Sequence, residues 1–551
     1  MAWIVAADNA SSTLASDLTA GALSIALVAG ASFPATGPYI ATICKSDGTV
    51  LEKILIDNMS SNTLTVNAAG RGYGGTSAAA HSSGDKCYVG SIKHIIDQLQ
   101  SELDYRAVPY YGIEWDEATD TYTRTGKAAG YPLGVALPDW MVIPMKRCLL
   151  ADAGTRNYYT HSVDGTKKED GVTAALLDGT DGQVMDEIPK YWFRYSYVGT
   201  KHRWEASPVP FSGFEVHEGF MSGATELDYA YIGAYEAVLY DVSASKYTNG
   251  LYQTAFSCTF DVDAKTITAG SRTAPFKHLV DGDMIVVTGT ADNNGTYTVA
   301  SATDTVITVD ETMAGASGVE AGTIIQIQTD VTAVSGDKLS SVSGFAPITG
   351  TVSDGTRAHF RQWAANRGAG WSQDFGDVHA AWQMLYLLDL ASFYSQSAIG
   401  AGISNVADWA AYNDFNPITK TGLGNAIGNG TGTNAAAAST SAATVAASGY
   451  LSYRGIENPF GHLWKWLDGF NINNNIPYLC NVPANFADDT VSNYTRPIDV
   501  LGAAITMHNA DGYQATIAKC GRAFMPKSVG ASGSTKITDY YYQAAGWRVA
   551  L

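Results

Sequence analysis

The sequence predicts a mainly β protein with an α+β carboxyl-terminal part, and three observations carry that prediction. Through most of the first 330 residues, short runs of β-branched and aromatic residues alternate with turns containing Gly, Asn and Asp. The chain holds 56 Gly, 31 Tyr and 12 Trp, a mixture that suits strands and tight turns better than helix bundles. Helical spacing of apolar residues is confined to one stretch near residue 100 and two after residue 337.

The 551 residues suffice for three or four domains at ~100 to 200 residues each. With 46% hydrophobic and 16% charged residues, there is enough apolar side chain to offset chain entropy, which excludes a largely disordered protein. The net charge of −19 repels phosphate backbones and anionic bilayers, so no nucleic acid is expected as a ligand. No apolar run reaches the ~20 residues needed to span a bilayer, so no membrane insertion is expected. The opening MAWIVAADNASS lacks the basic flank and long apolar stretch of a secretory signal, which points to synthesis in a cytoplasm. The six cysteines, Cys44, Cys87, Cys148, Cys258, Cys480 and Cys520, stand singly, without a C-x-x-C pair or a His at ligand spacing. They are expected to be small core residues, with no metal site and no cofactor.

Residues 1–90 read as a small antiparallel β-module: ALSIALVAG, FPATGPYIATI, TVLEKILIDN and SSNTLTVNA are separated by turns at Asp47-Gly48 and Ser61-Asn62. In 91–108 the period changes, and Ile92, Ile96, Leu99 and Leu103 fall four, three and four apart. Two heptads are too short to be stable alone. This linker is therefore either an amphipathic helix lying on its neighbour or a short coiled coil joining identical subunits, for which an Ile-rich seam favours three strands.

Residues 109–249 contain aromatic strands such as KYWFRYSYV, with Asp178-Gly179 and Asp181-Gly182 as a hairpin loop; that spacing lacks the alternate oxygen ligands and final Glu of a calcium loop. Residues 250–332 read as an inserted β-domain, with β-branched runs between DG, NNG and ATD turns. In 333–551 two helices are expected, one burying Phe360, Trp363 and Ala364, the other Val378, Ala381, Trp382, Leu385, Leu388 and Leu390. The small-residue stretch from Gly428 to Gly449 is either a mobile loop or an extended segment packed on another subunit.

Catalytic signatures are sparse. The chain has no G-x-S-x-G elbow, no phosphate-binding G-x-x-x-x-G-K-[ST] and no H-E-x-x-H. His462 stands alone beside Trp464 and reads as a packing histidine, and the carboxylate pairs Asp186-Glu187 and Asp488-Asp489 are merely adjacent in sequence. The spacing favours binding over turnover.

The segments FRQWAANRGAGWSQDFGDVHAAWQMLYLLDLASFYSQSAIGAG, YRGIENPFGHLWKWLDGFN and YYYQAAGWRVAL resemble the C-type-lectin-like domain of formylglycine-generating enzymes, phage major tropism determinants and phage tail-fibre tips. The resemblance covers about 140 to 240 and 337 to 551. It implies two core strands, one at Gly461, Trp464 and Trp466 and another at Gly546, Trp547, Arg548 and Val549. The reactive cysteine pair of the enzymes and the calcium-binding tripeptides of the lectins are absent, and residues 457–459 read Glu-Asn-Pro. In related phage proteins a further Gly- and aromatic-rich segment follows the G-W-R-V strand, so at Leu551 another segment or chain is expected to complete the domain, or the tip is reduced.

FPATGPYIATI, NTLTVN and RGYGGTSAAAHSSGDKCYV resemble the small β-module at the amino end of phage tail and baseplate proteins. Together the two resemblances imply a non-enzymatic tail-fibre or receptor-binding protein of a virion, assembled in the host cytoplasm. Its expected partners are two further copies of itself in a homotrimer, other tail or baseplate proteins, and a bacterial surface receptor, either glycan or outer-membrane protein. Candidate receptor contacts are Asn473, Asn474 and Asn475 after GFNI and Tyr540, Tyr541 and Tyr542 near the end, because amides hydrogen-bond adaptably and tyrosines offer flat amphipathic area. The plainer alternative is that the asparagines form a turn and the tyrosines alternate between core and interface. A tail-associated depolymerase and a purely structural tail component remain the competing functions.

Overall fold

The structure, a computed structural model, describes residues 10–45, 49–73, 75–89, 109–270, 272, 274–330, 336–350, 352, 355–402, 418–434, 449–533, 536–537, 540–542 and 547–548. It is mainly β, with 40% strand and 9% helix. The chain divides into two compact units, Met1–Val108 and Pro109–Leu551.

The first unit is one antiparallel sheet of six strands, in the order Ser11–Thr13, Lys86–Val89, Thr36–Cys44, Val50–Ser60, Thr63–Val66, Ser24–Ala26. Alternation along Val50–Ser60 buries Ile54 and Ile56 with Tyr39, Ile43 and Leu64. Ser61 and Asn62 both take positive φ, 50° and 20°, which gives the two-residue turn a twist matched to its flanking strands. Glu52, fully buried, is the polar centre of this unit. Arg71 grips it through Nε and Nη2, each at 2.8 Å, His81 Nε2 lies 2.7 Å away, and the amides of Gly72 and Ala79 donate at 2.7 and 3.1 Å. Ile92, Ile96, Leu99 and Leu103 lie outside the described residues.

In the second unit two five-stranded sheets share one core. The first is ordered Asp164–Lys168, Arg156–His161, Lys146–Leu150, Gln183–Pro189, Tyr229–Gly233; the second is Glu215–Val216, Trp192–Val198, Lys201–Ser207, Tyr111–Asp116, Thr121–Gly126. Helices α1 (Arg357–Ala365) and α2 (Gly376–Leu390) fall in the two segments whose apolar spacing predicts them. All residues of α2 except Gln383 are buried, as its nearly continuous apolar composition requires. Its last carbonyls, at Leu388 and Asp389, accept hydrogen bonds from Arg124 at 3.0 and 2.8 Å, which satisfies groups that no further turn of helix can reach.

Residues Tyr252–Ile327 form a closed six-stranded barrel filled by Ile267, Ile285, Val287, Val299, Ile307 and Ile325. The barrel core is continuous with that of its host. It runs on through Leu239, Ile348, Phe360 and Trp363, and the Trp363 indole donates to the Asp330 carbonyl at 3.1 Å.

Beyond residue 469, two three-stranded sheets are present among the described residues. One joins Phe470–Asn473 to Ile476–Leu479 and Trp547–Arg548; the other joins Gly512–Ile517 to Pro526–Ala531 and Tyr540–Tyr541. They share a core of Phe470, Ile472, Leu479, Met507, Cys520 and Tyr541. The expected core strand at Gly461, Trp464 and Trp466 is corrected: no strand runs from 461 to 466. Gly461 has φ 75°, and a Cβ there would lie 2.7 Å from the Ala401 carbonyl oxygen, so this glycine serves a left-handed turn. Trp464 is 74% exposed.

Candidate ligand-binding site

A cavity of about 200 Å³ opens in the second unit where three apolar clusters meet. The core around α2 contributes Trp382, the barrel core contributes Phe360, Ile348 and Trp466, and a small cluster contributes Met185 and Trp371.

One wall is the connection between α1 and α2. Arg367 fixes its start, donating from Nε to Leu339 O at 2.8 Å and from Nη1 to Asp152 Oδ1 at 2.6 Å. Trp371 Nε1 donates to Asp152 O at 2.8 Å. Asp374 fixes its end, with one carboxylate oxygen 2.7 Å from His379 Nδ1 and its carbonyl accepting from the Asp468 amide at 2.9 Å. Gln373, between these anchors, is 3% exposed, yet neither Oε1 nor Nε2 makes a hydrogen bond within the protein. The same holds for Asp374 Oδ1 and the Trp382 indole N–H, on residues that line the same cavity. A buried amide left so costs about 1–3 kcal/mol of stability.

The facing wall is the segment 462–466, pinned by Glu236. His462 Nδ1 donates to one oxygen of Glu236, and the other lies 3.3 Å from the Leu463 amide and 3.5 Å from Lys465 Nζ. Lys465 also donates to Asn458 O at 2.9 Å. This places Trp464 at the mouth and Trp466 inside, where Gly350 lies against the indole; a Cβ on Gly350 would come 3.2 Å from Trp466 Nε1. Glu457 closes the cavity, its two oxygens accepting the amides of Gly422 and Gly424 at 2.8 and 2.6 Å.

The two glutamates are driven apart electrostatically. Burial, reinforced by the charge of Glu236, pushes the Glu457 carboxyl up to about 7 against the opposing pull of Arg147 and the two amides. Burial acts in the same sense on Glu236, but the His462 imidazole and the Lys465 ammonium outweigh it and hold that carboxylate below its ordinary range. Each carboxylate is already engaged by protein donors. The cavity therefore presents an aromatic interior with an unmatched amide at Gln373, an unmatched indole N–H at Trp382 and an unmatched carboxylate oxygen at Asp374.

The predicted contact residues lie elsewhere. Asn474 and Asn475, at φ 49° and 64°, are the two-residue turn of the hairpin that Asn473 enters, which is the plainer alternative foreseen for them. Tyr540 and Tyr542 are 56% and 53% exposed. Tyr541 is corrected as a contact: it is buried, and its hydroxyl donates to His508 O at 3.1 Å. None of these six lines the cavity. Gly546 is outside the described residues; Trp547 pairs with Asn473 and Arg548 with Ile472.

The carboxylate neighbours do not converge. Along Gln183–Pro189, Asp186 turns toward Gly455, while Glu187 accepts from the hydroxyls of Tyr159 and Tyr231 at 2.5 and 2.7 Å. Asp488 is taken up by Arg357 and Arg361 at 3.1 and 2.6 Å. Asp178 and Asp181 belong to a turn, and among the described residues no cluster of three or more His, Cys, Asp and Glu is arranged to hold a metal ion.

Sequence reasoning singled out Trp464 and Trp466 for the wrong reason and missed Trp371, Gln373, Glu236 and Glu457. Only the local density of tryptophan pointed this way. A lone Gln carries no spacing signal, and Glu236 reaches His462 across 226 residues.

No family model, no curated protein and no solved structure matches the chain.

Proposed function

We propose that this chain is a bacteriophage tail-fibre protein that attaches to the virion through its first unit and binds a host-surface receptor, glycan or outer-membrane protein, through its second. The observation that carries this is the preformed cavity between Trp371, Trp464 and Trp466, with buried polar groups that have no partner in the protein. Such groups are retained at the expense of stability where a ligand completes them. Exposed Tyr540 and Tyr542 offer a second, flatter aromatic patch. Three copies joined through Ile92, Ile96, Leu99 and Leu103 would multiply weak individual contacts by effective concentration.

The test is adsorption. Labelled protein should bind host cells and compete with infection, and the native particle should have the mass of three chains, loosened by Ile92→Ala, Ile96→Ala and Leu99→Ala together. Protein that neither adsorbs nor competes would leave a structural tail component as the function.

A depolymerase is the second reading, favoured by one observation: two glutamates in one aromatic cavity with oppositely displaced protonation. Against it, both carboxylates are tied to protein donors. Release of reducing ends from host polysaccharide would decide for the enzyme.

A further inference from the structure

We propose that the cavity between Trp371, Trp464 and Trp466 binds one N-acetylated hexosamine residue of a bacterial surface glycan, with Gln373 as the group that reads the acetamide. This rests on the host-binding function above and names its ligand class.

Four observations converge on that class. The first is size: about 200 Å³ is somewhat more than the ~150 Å³ of a cavity that takes a single benzene ring, room for one sugar ring with a small substituent rather than for a chain. The second is the wall, where Trp371, Trp464 and Trp466 supply flat faces for the apolar side of a pyranose. The third is charge. Glu236 is held by His462 and Lys465, and Glu457 by the Gly422 and Gly424 amides, so no unpaired Lys or Arg lines the interior to draw an anionic ligand, and the unmatched Asp374 Oδ1 is left as an acceptor for a sugar hydroxyl. The fourth selects among neutral sugars. Gln373 is 3% exposed and offers one unmatched acceptor and one unmatched donor group from the same planar amide. An acetamido group is the complement: its N–H fits Oε1, its carbonyl fits Nε2, and its methyl suits the apolar lining formed by residues such as Ile348. A plain hexose has hydroxyls to offer but no planar partner and no methyl.

Trp464, 74% exposed at the mouth, is placed to cover the ring from the solvent side. The remainder of a glycan chain would leave past it.

The test is a titration of the full-length protein, followed by tryptophan fluorescence, with N-acetylglucosamine, N-acetylgalactosamine, glucose, galactose and, as a probe for amide side chains of peptides, acetamide-blocked glutamine. At least one N-acetyl sugar should give a saturable change at tenfold or more lower concentration than its parent hexose. Gln373→Leu should weaken that binding at least tenfold while its melting temperature stays level or rises, because the amide it removes has no partner in the protein. Trp464→Ala should weaken binding without changing the melting temperature. The inference is overturned if parent hexoses or the blocked glutamine bind as tightly as the N-acetyl sugars, if Gln373→Leu binds as the wild type does, or if none of these ligands gives a saturable change. Adsorption to host cells, measured on the same proteins, separates the two levels. Adsorption that persists without sugar binding removes the hexosamine pocket and leaves the tail-fibre function standing; sugar binding without adsorption does the reverse.

Discussion

His462 donates its Nδ1–H to Glu236 across 226 residues of sequence, and this buried contact sets the position of the segment that carries Trp464 and Trp466. Removing one partner of such a pair strands the other without solvent. Glu236→Gln is expected to lower the unfolding free energy by about 3–5 kcal/mol in denaturant titration. It should also shift the tryptophan emission to the red as the 462–466 segment loosens.

Glu457 makes stability depend on pH near neutrality. Its carboxyl ionises near 4.5 in the unfolded chain but only at about 7 when folded, so the folded state retains a proton that the unfolded state has lost. The contribution is fully favourable below about pH 4.5 and declines as pH rises to about 7, by roughly 3 kcal/mol at 1.36 kcal/mol per unit. Glu457→Gln should remove about one proton from the linkage between these limits, measured as the difference in slope from wild type in urea unfolding at pH 5 and 7.5.

Glu52 works in the opposite sense in the first unit. Burial alone would raise its carboxyl, but hydrogen bonds from Arg71, His81, Gly72 and Ala79 prevail and bring it down to about 2. Stability from this group is therefore complete above about pH 4.5 and is lost as pH falls toward 2, on the order of 3 kcal/mol. Hydrogen exchange at the Ile54 and Ile56 amides should quicken between pH 5 and 2.5 in the wild type. In Glu52→Gln it should be fast at both, because the Arg71 guanidinium then has no carboxylate.

All six cysteines are buried and free, and burial pushes the thiols of Cys87 and Cys258 up to about 12. The thiolate is the reactive form. Ellman's reagent should label none of them rapidly in the native protein at pH 8 and all of them after denaturation; a fast-reacting thiol would reveal an opening of one of these cores.

What could be read in advance follows from the range of the interactions involved. Helices α1 and α2 were legible because Phe360, Trp363 and Ala364 in one segment, and Val378, Ala381, Trp382 and Leu385 in the other, repeat at helical spacing, and the Ser61-Asn62 turn because polar turn residues there separate two apolar runs. Segment 461–466 was misjudged because a glycine and two tryptophans suit a buried strand as well as an exposed turn; the choice is made by Glu236 and Ala401, far away in sequence. The cavity was illegible for the same reason. Gln373 becomes unusual only once the fold has buried it and withheld every partner.

The unbroken interior that joins the barrel to α1 bears on how such a protein can diversify. A barrel with its own sealed core could be exchanged like a cassette without disturbing its host. Here an exchange that altered the packing at Phe360 or Trp363 would be felt in the cavity itself, which Phe360 lines together with Trp371 and Gln373. Variation in a module remote from the ligand thus becomes a route to changing what the pocket selects, and chimaeras that swap only Tyr252–Ile327 should inherit altered specificity along with the new barrel.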